Sequence, residues 1–262
     1  MTVPAMIFTD LDGTLLDHET YDWSPAAPLL GRLTAAGIPV CLASSKTAAE
    51  MVPLRAAMGL SAAPLICENG AGIVPGGEAT ATGADRSAYA RLRAALQALP
   101  VELRQGFEGF GDMGPARIAE VTGLTPQAAE AAATRAFSEP GLWTGTQGEL
   151  AAFLDLLAGQ GVTGRRGGRF LTLSFGGTKA DRMEEIAMHY GHPPTIALGD
   201  APNDREMLEA AGHGIVIANP HGAPLPELRG EAEGRIRRST ETGPNGWSIE
   251  VSRLVSDLDI AI

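Results

Sequence analysis

Long apolar runs are missing from the 262-residue sequence. None approaches the roughly 20 residues that a bilayer-spanning helix needs, which argues against an integral membrane protein. The first residues, MTVPAMIFTDLDG, also lack the basic start and the small-residue cleavage site of a secretory leader, so we expect a cytoplasmic protein. Cysteine is scarce as well. Cys41 and Cys67 each stand inside an apolar segment, which argues against a disulfide framework and predicts reduced core thiols.

Positive charge is also in short supply. The sequence has 20 Lys and Arg residues against 31 Asp and Glu residues, for a formal net charge of -11. Nucleic acids and anionic membranes are bound mainly through basic surfaces, so neither is an expected partner. The remaining composition, 44% hydrophobic and 19% charged, is that of a chain that folds into globular domains.

What the sequence does contain is an alternation of short apolar strands with amphipathic helices, the pattern of parallel βα units. The predicted strands are Ala5 to Thr9, Pro39 to Ala43, Leu65 to Cys67, Thr195 to Leu198 and Gly214 to Ile217. The predicted helices run from Ser24, as N-cap, to Gly37, from Thr47 to Met58, from Lys179 to Tyr190 and from Asp204 to Ala211. We therefore predict an α/β fold with a doubly wound, Rossmann-like parallel sheet.

The alternation of strands and helices is interrupted between about Gly83 and Gly177, where the amino-acid composition changes. This stretch holds Ala-rich predicted helices and a Gly/Arg-rich predicted hairpin, at Asp85 to Leu99, Pro126 to Phe137, Glu149 to Gln160 and Gly164 to Phe175. We interpret it as an inserted α/β domain. The predicted division is a core of residues 1–82 and 178–262 with an insertion of residues 83–177.

Polar residues follow every predicted strand of the core. They are Asp10 to Thr14, Ser44 to Lys46, Glu68 to Gly70, Gly199 to Asp204 and Ala218 to Pro220. Ligands of open parallel sheets bind beyond the carboxyl ends of the strands, so these segments should line one site.

The first of these segments suggests acid–base and nucleophilic chemistry. Asp10 and Asp12 are two positions apart at a strand end, and Gly13 lets the backbone turn away from a shared ligand. One carboxylate can attack phosphorus while the other exchanges a proton with the ester oxygen. An isolated pair of this kind would more often be a turn or a helix cap.

Several carboxylates beside a phosphate repel one another by on the order of 1 to 4 kcal/mol per pair of unit charges at about 4 Å, so a divalent cation is required. Oxygen ligands suit Mg²⁺. The side-chain candidates are Asp10 and Asp200, and the backbone carbonyl of Asp12 would complete the set. Asp204 and Asn203 either join the metal or phosphate site or cap the following helix.

Two further residues suit a phosphoryl group. Ser44 offers a hydroxyl, and Lys179, after the glycine pair Gly176-Gly177, offers an ammonium. Each alone would be read as structural, but both stand at the edge of the same predicted site.

The sequence DLDGT, the Ser after the second strand, the Lys after the insertion and GDAPND resemble the four motifs of the haloacid dehalogenase-like superfamily. More narrowly, DLDGTLLDHETYDW, SSKTAAE, ICENGAGI, RAFSEPGLW and GGRFLTLSFGGTKA resemble mannosyl-3-phosphoglycerate phosphatases. That resemblance implies that Asp10 is the nucleophile and Asp12 the acid/base. It further implies that Asp10, Asp12 and Asp200 hold Mg²⁺, that Ser44 and Lys179 bind phosphate, and that the inserted domain covers the site and selects the substrate.

The second motif departs from the commoner Thr-Gly-Arg of the superfamily, because it reads Ser44-Ser45-Lys46. This fits the narrower family and leaves the role of Lys46 open. A glycosyl phosphoglycerate carries a carboxylate beside its phosphate, and Lys46, Arg135 and Arg169 are the candidate cations for it. Ser45, Glu68, Asn69 and Asn203 complete the candidate substrate contacts.

Other functions remain open from sequence. A receiver-type phospho-acceptor module also places Asp, Ser or Thr, and Lys at strand ends, but it needs neither Asp12 nor a large insertion. A phosphomutase uses the same nucleophile and returns the phosphoryl group to a second hydroxyl. A glucosyl-3-phosphoglycerate phosphatase or a general sugar-phosphate phosphatase would differ only in contacts from the inserted domain.

Overall fold

The computed structural model describes residues 3–77, 85–222 and 224–262. These residues divide into two units. The first contains residues 3–45, 51–77, 178–222 and 224–262, and the second contains residues 46–50 and 85–177. The predicted boundary at 82/83 lies outside the described residues. The predicted division put residues 46–50 in the core, whereas here they group with the insertion, and the Thr47 hydroxyl donates to the Ala131 carbonyl of that unit at 2.9 Å.

A seven-stranded sheet forms the centre of the described part of the first unit. Its strands, numbered along the chain, are β1 (Met6–Thr9), β2 (Val40–Ala43), β3 (Leu65–Cys67), β4 (Gly72–Val74), β9 (Thr195–Gly199), β10 (His213–Ala218) and β11 (Ile236–Thr242). The order is β11-β10-β9-β1-β2-β3-β4, parallel throughout except that β4 runs antiparallel to β3. The predicted doubly wound α/β core is confirmed.

Helices cover this sheet and bury its apolar strands. They are α1 (Ala27–Ala35), α2 (Ala48–Ala57), α8 (Lys179–His189), α9 (Arg205–Ala210) and α10 (Gly243–Asp257). All four residues of β1 are buried, as expected for a parallel strand covered on both faces. Cys41 and Cys67 are buried in the same core, as predicted. Ser24 is not an N-cap: it begins a 3-10 helix ahead of α1, and its hydroxyl donates to Asp22 at 2.7 Å.

The described part of the second unit is built on a four-stranded antiparallel sheet of order β5-β6-β8-β7. Its strands are β5 (Phe107–Gly109), β6 (Ser138–Trp143), β7 (Thr163–Gly167) and β8 (Phe170–Ser174), and its helices are α3 (Ser87–Gln97), α4 (Val101–Arg104), α5 (Pro115–Thr122), α6 (Pro126–Ala133) and α7 (Gln147–Ala158). The predicted hairpin is β7–β8. The helix predicted to reach Phe137 ends at Ala133, and the inner strand β6 was not predicted, because Pro140 and Gly141 are poor strand formers.

The strand order reverses direction at β1. Along the chain, β2 and β3 are added on one side of β1, and β9 and β10 on the other. The loops after β1 and β9 therefore diverge, and this is the place where parallel sheets open a crevice for ligands. None of the helices in residues 3–77, 85–222 and 224–262 combines the length and apolar character of a bilayer span.

Candidate active site

Asp10 and Lys179 form the centre of the site. Asp10 follows β1, and its N–H donates to the Leu198 carbonyl of β9 at 2.9 Å. Lys179 is the first residue of α8, where Thr178 and Asp181 cap the helix reciprocally. Its Nζ lies 2.6 Å from Asp10 Oδ1, and both side chains are almost fully buried. The two motifs that the sequence predicted to meet are therefore in direct contact.

Asp204 holds Lys179 from the other side. Its Oδ1 accepts from Lys179 Nζ at 2.7 Å, and its Oδ2 accepts the backbone N–H groups of Asp200 and Ala201 at 3.1 and 3.0 Å. Asp204 thus fixes both the ammonium and the loop after β9. The capping role that the sequence left open is not seen, because the Asp204 side chain makes no cap hydrogen bond to the following helix α9 and instead holds the turn that precedes it.

Asp200, after β9, is held by two residues from segments that the sequence predicted to line the site, although it assigned neither of them a role. The Thr14 hydroxyl donates to Asp200 Oδ1 at 2.7 Å, and the Asn219 amide donates to Asp200 Oδ2 at 2.6 Å. Both lie just after strands, and that position is the signal that included their segments in the predicted site. Gly13 has φ 79°, and a Cβ there would lie 2.6 Å from Asn219 Nδ2, so a side chain would disturb this arrangement.

The loop after β3 brings a second group of predicted residues together. The Asn69 N–H donates to the Ser44 carbonyl at 2.9 Å, and Asn203 Nδ2 donates to Asn69 Oδ1 at 3.1 Å. Glu68, Asn69 and Gly70 have consecutive positive φ values of 54°, 58° and 91°. A Cβ on Gly70 would lie 2.5 Å from the Lys179 nitrogen. This left-handed turn therefore packs directly behind the start of α8, while Ser44, Glu68 and Gly70 stay buried.

Asp12 lies in the tight loop that follows Asp10. The Gly13 N–H donates to the Leu16 carbonyl at 3.0 Å, and the Leu16 N–H donates to the Leu11 carbonyl at 2.8 Å. Asp12 is half-buried, whereas Asp204 is fully buried. Such a position suits a group that exchanges protons.

The buried charges of the site do not balance. Candidate ligand oxygens of Asp10, Asp200 and Asp204 lie within 4.8 Å of one another. Burial raises the pKa of Asp10 to about 8, with Lys179 opposing the shift and Asp204 and Asp200 adding to it. Burial also raises the pKa of Asp200, although Asn219 and Thr14 act against it. When all three carboxyl groups are ionised, they and the one ammonium leave two negative charges, which a divalent cation with a preference for oxygen ligands would offset.

The candidate cations of the second unit are not all brought together. Lys46 is half-buried beside Thr47, which contacts the end of α6, and Arg135 follows α6 and donates to Ser138 Oγ at 2.7 Å. Arg169 is exposed in the β7–β8 turn and donates to the Val121 carbonyl at 2.6 Å. In the sheet register Ser138 lies opposite Ser174. Arg135 and Arg169 therefore belong to opposite ends of this sheet, about 15 Å apart along the strands.

The sequence pattern of the haloacid dehalogenase-like hydrolases matches residues 7–102 and 160–223, more than half of the chain. The chain belongs to this family. Asp10, Asp12, Ser44, Lys179, Asp200 and Asp204 all lie within the matched residues of this haloacid dehalogenase-like hydrolase, whereas Arg135 lies in the stretch between them.

Solved structures share the fold over nearly the whole length of this hydrolase. A phosphatase of the haloalkanoate (HAD) enzyme superfamily from Bacteroides thetaiotaomicron has a TM-score of 0.64 at 16% identity, covering 98% of this chain and 96% of its own. The sucrose-phosphatase of Synechocystis sp., solved with sucrose and phosphate, has a TM-score of 0.62 at 14% identity, covering 98% and 99%. A subclass IIB sugar phosphatase has a TM-score of 0.60 at 18% identity, covering 98% and 99%. At these identities the likeness shows the fold alone.

Proposed function

We propose that this haloacid dehalogenase-like hydrolase is a Mg²⁺-dependent phosphatase that forms an aspartyl-phosphate on Asp10. The observation that carries the proposal is the buried contact of Asp10 with Lys179, at 2.6 Å, beside the carboxylates of Asp200 and Asp204. A carboxylate with an adjacent ammonium, at the crevice of a parallel sheet, suits attack on an anionic phosphorus centre. Phosphatases among the solved structures with this fold agree with that reaction class.

In the proposed reaction, Asp10 attacks phosphorus and the bond to the ester oxygen breaks, while Asp12 gives its proton to that oxygen. A water molecule then attacks the phosphoryl group, gives its proton to Asp12 and releases phosphate and free Asp10. The Ser44 hydroxyl and the Lys179 ammonium bind phosphoryl oxygens. Asp10 and Asp200, with the Asp12 backbone carbonyl, would hold Mg²⁺, whose charge offsets that of the carboxylates and the phosphate.

The metal requirement is the first test. Hydrolysis of an aryl phosphate should cease in excess chelator and return with Mg²⁺, because the buried carboxylates otherwise repel the substrate. Asp200→Asn should raise the Mg²⁺ concentration needed for half-maximal turnover. Asp155→Asn, which removes an exposed carboxylate of α7, is the matched control and should leave that concentration unchanged. Undiminished turnover in chelator would rule out the metal.

The acid role of Asp12 predicts a dependence on the leaving group. Asp12→Ala should slow hydrolysis of a sugar phosphate by about a hundredfold or more, because an alkoxide needs a proton to leave. An aryl phosphate, whose leaving group needs little protonation, should lose much less. We would measure kcat for both esters with the same enzyme preparations. Equal losses on the two substrates would contradict the assignment.

The proposed substrate is a glycosyl phosphoglycerate, with mannosyl-3-phosphoglycerate converted to mannosylglycerate as the first candidate. The support is the resemblance of five sequence stretches to that family, together with cations suited to a carboxylate. Lys46 is two residues from Ser44, and Thr47 contacts the end of α6 just before Arg135. The glucosyl analogue and simple sugar phosphates remain the alternatives, and the sucrose-phosphatase of the same fold acts in that wider class.

Substrate preference can be measured directly. Lys46→Ala should lower kcat/KM for a phosphoglycerate glycoside by about tenfold to a hundredfold, the effect of losing a charge-assisted hydrogen bond. Hydrolysis of a small aryl phosphate should be nearly unchanged. Arg169→Ala is the comparison, because Arg169 stands at the far end of the sheet from Arg135. If Arg169→Ala rather than Lys46→Ala lowers kcat/KM for the glycoside, Arg169 is the residue that binds the carboxylate. A wild-type enzyme that prefers hexose phosphates would contradict the substrate assignment.

A further inference from the structure

Two consecutive hydrogen bonds connect the backbone of Asp10 to the core of the first unit. Thr9 is the last residue of β1, and its hydroxyl lies 2.8 Å from the Asp10 carbonyl oxygen. The indole Nε1 of Trp247, on α10, lies 3.0 Å from the same hydroxyl. Thr9 and Trp247 are both fully buried. Packing alone would favour Val at this buried position of an apolar strand, so the presence of a hydroxyl group suggests a specific role.

The direction of these bonds is fixed by chemistry. An indole nitrogen only donates, so Thr9 Oγ1 must accept from Trp247. The single proton of the hydroxyl is then left to donate to the Asp10 carbonyl. Because the Thr9 hydroxyl both accepts and donates a hydrogen bond, burying it carries only a small free-energy penalty. Thr9 and Trp247 can therefore both lie inside the core.

The effect of the chain of hydrogen bonds falls on the backbone of Asp10. Its N–H is held by the Leu198 carbonyl at 2.9 Å, and its carbonyl is held by Thr9. With both flanking peptide groups held, the direction of the Asp10 side chain is set before a substrate arrives. In-line attack requires the reacting atoms to be about 3 to 3.5 Å apart and aligned, so a small displacement of the Asp10 carboxylate lowers the reaction rate strongly.

We propose that Thr9 and Trp247 are positioning residues for the Asp10 nucleophile, acting through the Asp10 carbonyl. The inference rests on the proposed function of Asp10. Trp247 lies beyond residue 223, where the family pattern ends, so α10 contributes to catalysis from outside the matched residues. Neither side chain contacts a reacting atom, and their role is to hold the nucleophile in place.

The test uses p-nitrophenyl phosphate with Mg²⁺ and two variants, each of which removes one of the two hydrogen-bonding groups. Thr9→Val and Trp247→Phe should each lower kcat by about tenfold while KM stays within about twofold. The double variant should be no worse than Thr9→Val alone, because one chain of hydrogen bonds is broken only once. Thr9→Ser keeps the hydroxyl and should restore kcat. Losses that multiply in the double variant would overturn the proposal.

Val251→Ala is the matched control. Val251 is a buried residue one turn further along α10, so its truncation destabilises the same helix without touching the hydrogen bonds. Its melting temperature should fall while kcat remains that of the wild type. If Thr9→Val and Trp247→Phe keep kcat within twofold, or if Val251→Ala loses as much as they do, the positioning role is wrong.

A second measurement separates this inference from the phosphatase proposal. If the wild-type protein hydrolyses no phosphate ester, the proposed function fails, and hydrogen exchange of the peptide covering residues 6–12 then decides the positioning role. Exchange there should be faster in Thr9→Val and Trp247→Phe than in the wild type and in Val251→Ala. Unchanged exchange in both variants would overturn the inference.

Discussion

Asp10→Asn is expected to lower turnover by on the order of a thousandfold or more, as loss of a covalent nucleophile does in other enzymes. The amide has nearly the shape of the carboxylate and can still accept from Lys179, but it is a poor nucleophile. Steady-state hydrolysis of an aryl phosphate with Mg²⁺ measures the loss. Residual activity within about tenfold of the wild type would remove Asp10 from the nucleophile role.

The same variant should fold at least as stably as the wild type in chelator. The folded-state pKa of Asp10 is raised from 3.8 to about 8 by burial, so folding favours the neutral carboxyl group. As the pH rises from about 4 towards 8, the unfolded chain loses this proton before the folded protein does. The free energy of unfolding of the wild type should therefore fall over that range. The amide of the variant has no such proton to lose, so the advantage of the variant should widen over that range. A variant that unfolds more easily throughout would contradict the assigned direction.

Lys179→Met should be damaging in two ways. It leaves the buried carboxylates of Asp10 and Asp204 without the ammonium that contacts both at 2.6 and 2.7 Å. Removing one partner of a buried ion pair typically costs about 3 to 5 kcal/mol of unfolding free energy. Turnover should be lost as well, because the phosphoryl group loses its ammonium ligand. Denaturant unfolding measured in chelator reports the stability effect.

The double variant Asp10→Asn, Lys179→Met provides the control. With one carboxylate fewer, it should recover part of the stability that Lys179→Met loses, so the two changes should not be additive. Additive losses would mean that the ammonium is not required to offset the charge of Asp10. A Lys179→Met protein as stable as the wild type would likewise contradict the charge argument.

Much of the core could be predicted from sequence because its determinants are local. Apolar strands such as β1 are buried on both faces and read as short hydrophobic runs, and the polar residues after them mark the ligand-binding edge. Asp10 was predicted in the site because it follows a strand, whereas Lys179, which begins a helix after the insertion, was predicted at the edge of the same site as a phosphate ligand. These inferences need no knowledge of which side chains touch.

What the sequence could not provide depends on tertiary pairing. Strand β6 contains Pro140, which lacks a backbone N–H and is therefore unfavourable in a strand. Its pairing with the neighbouring strands β5 and β8 is what makes this segment a strand. The hydrogen bond from Thr14 to Asp200 joins two loops whose residues are 186 positions apart in sequence, and no periodicity indicates it. The separation of Arg135 from Arg169 follows from the β6–β8 register, which a one-residue shift would change.

The left-handed turn at Glu68 to Gly70 has a consequence for how this chain tolerates its insertion. Gly70 lies against the backbone of Lys179, and the neighbouring Asn69 holds the Ser44 carbonyl. The turn after β3 and the start of α8, where the chain re-enters the core, are therefore in direct contact. The spacing of Ser44 and Lys179 therefore depends on these contacts rather than on the length of the insertion. Insertions of other sizes should therefore be exchangeable without moving Ser44 or Lys179, the two groups proposed to bind phosphate.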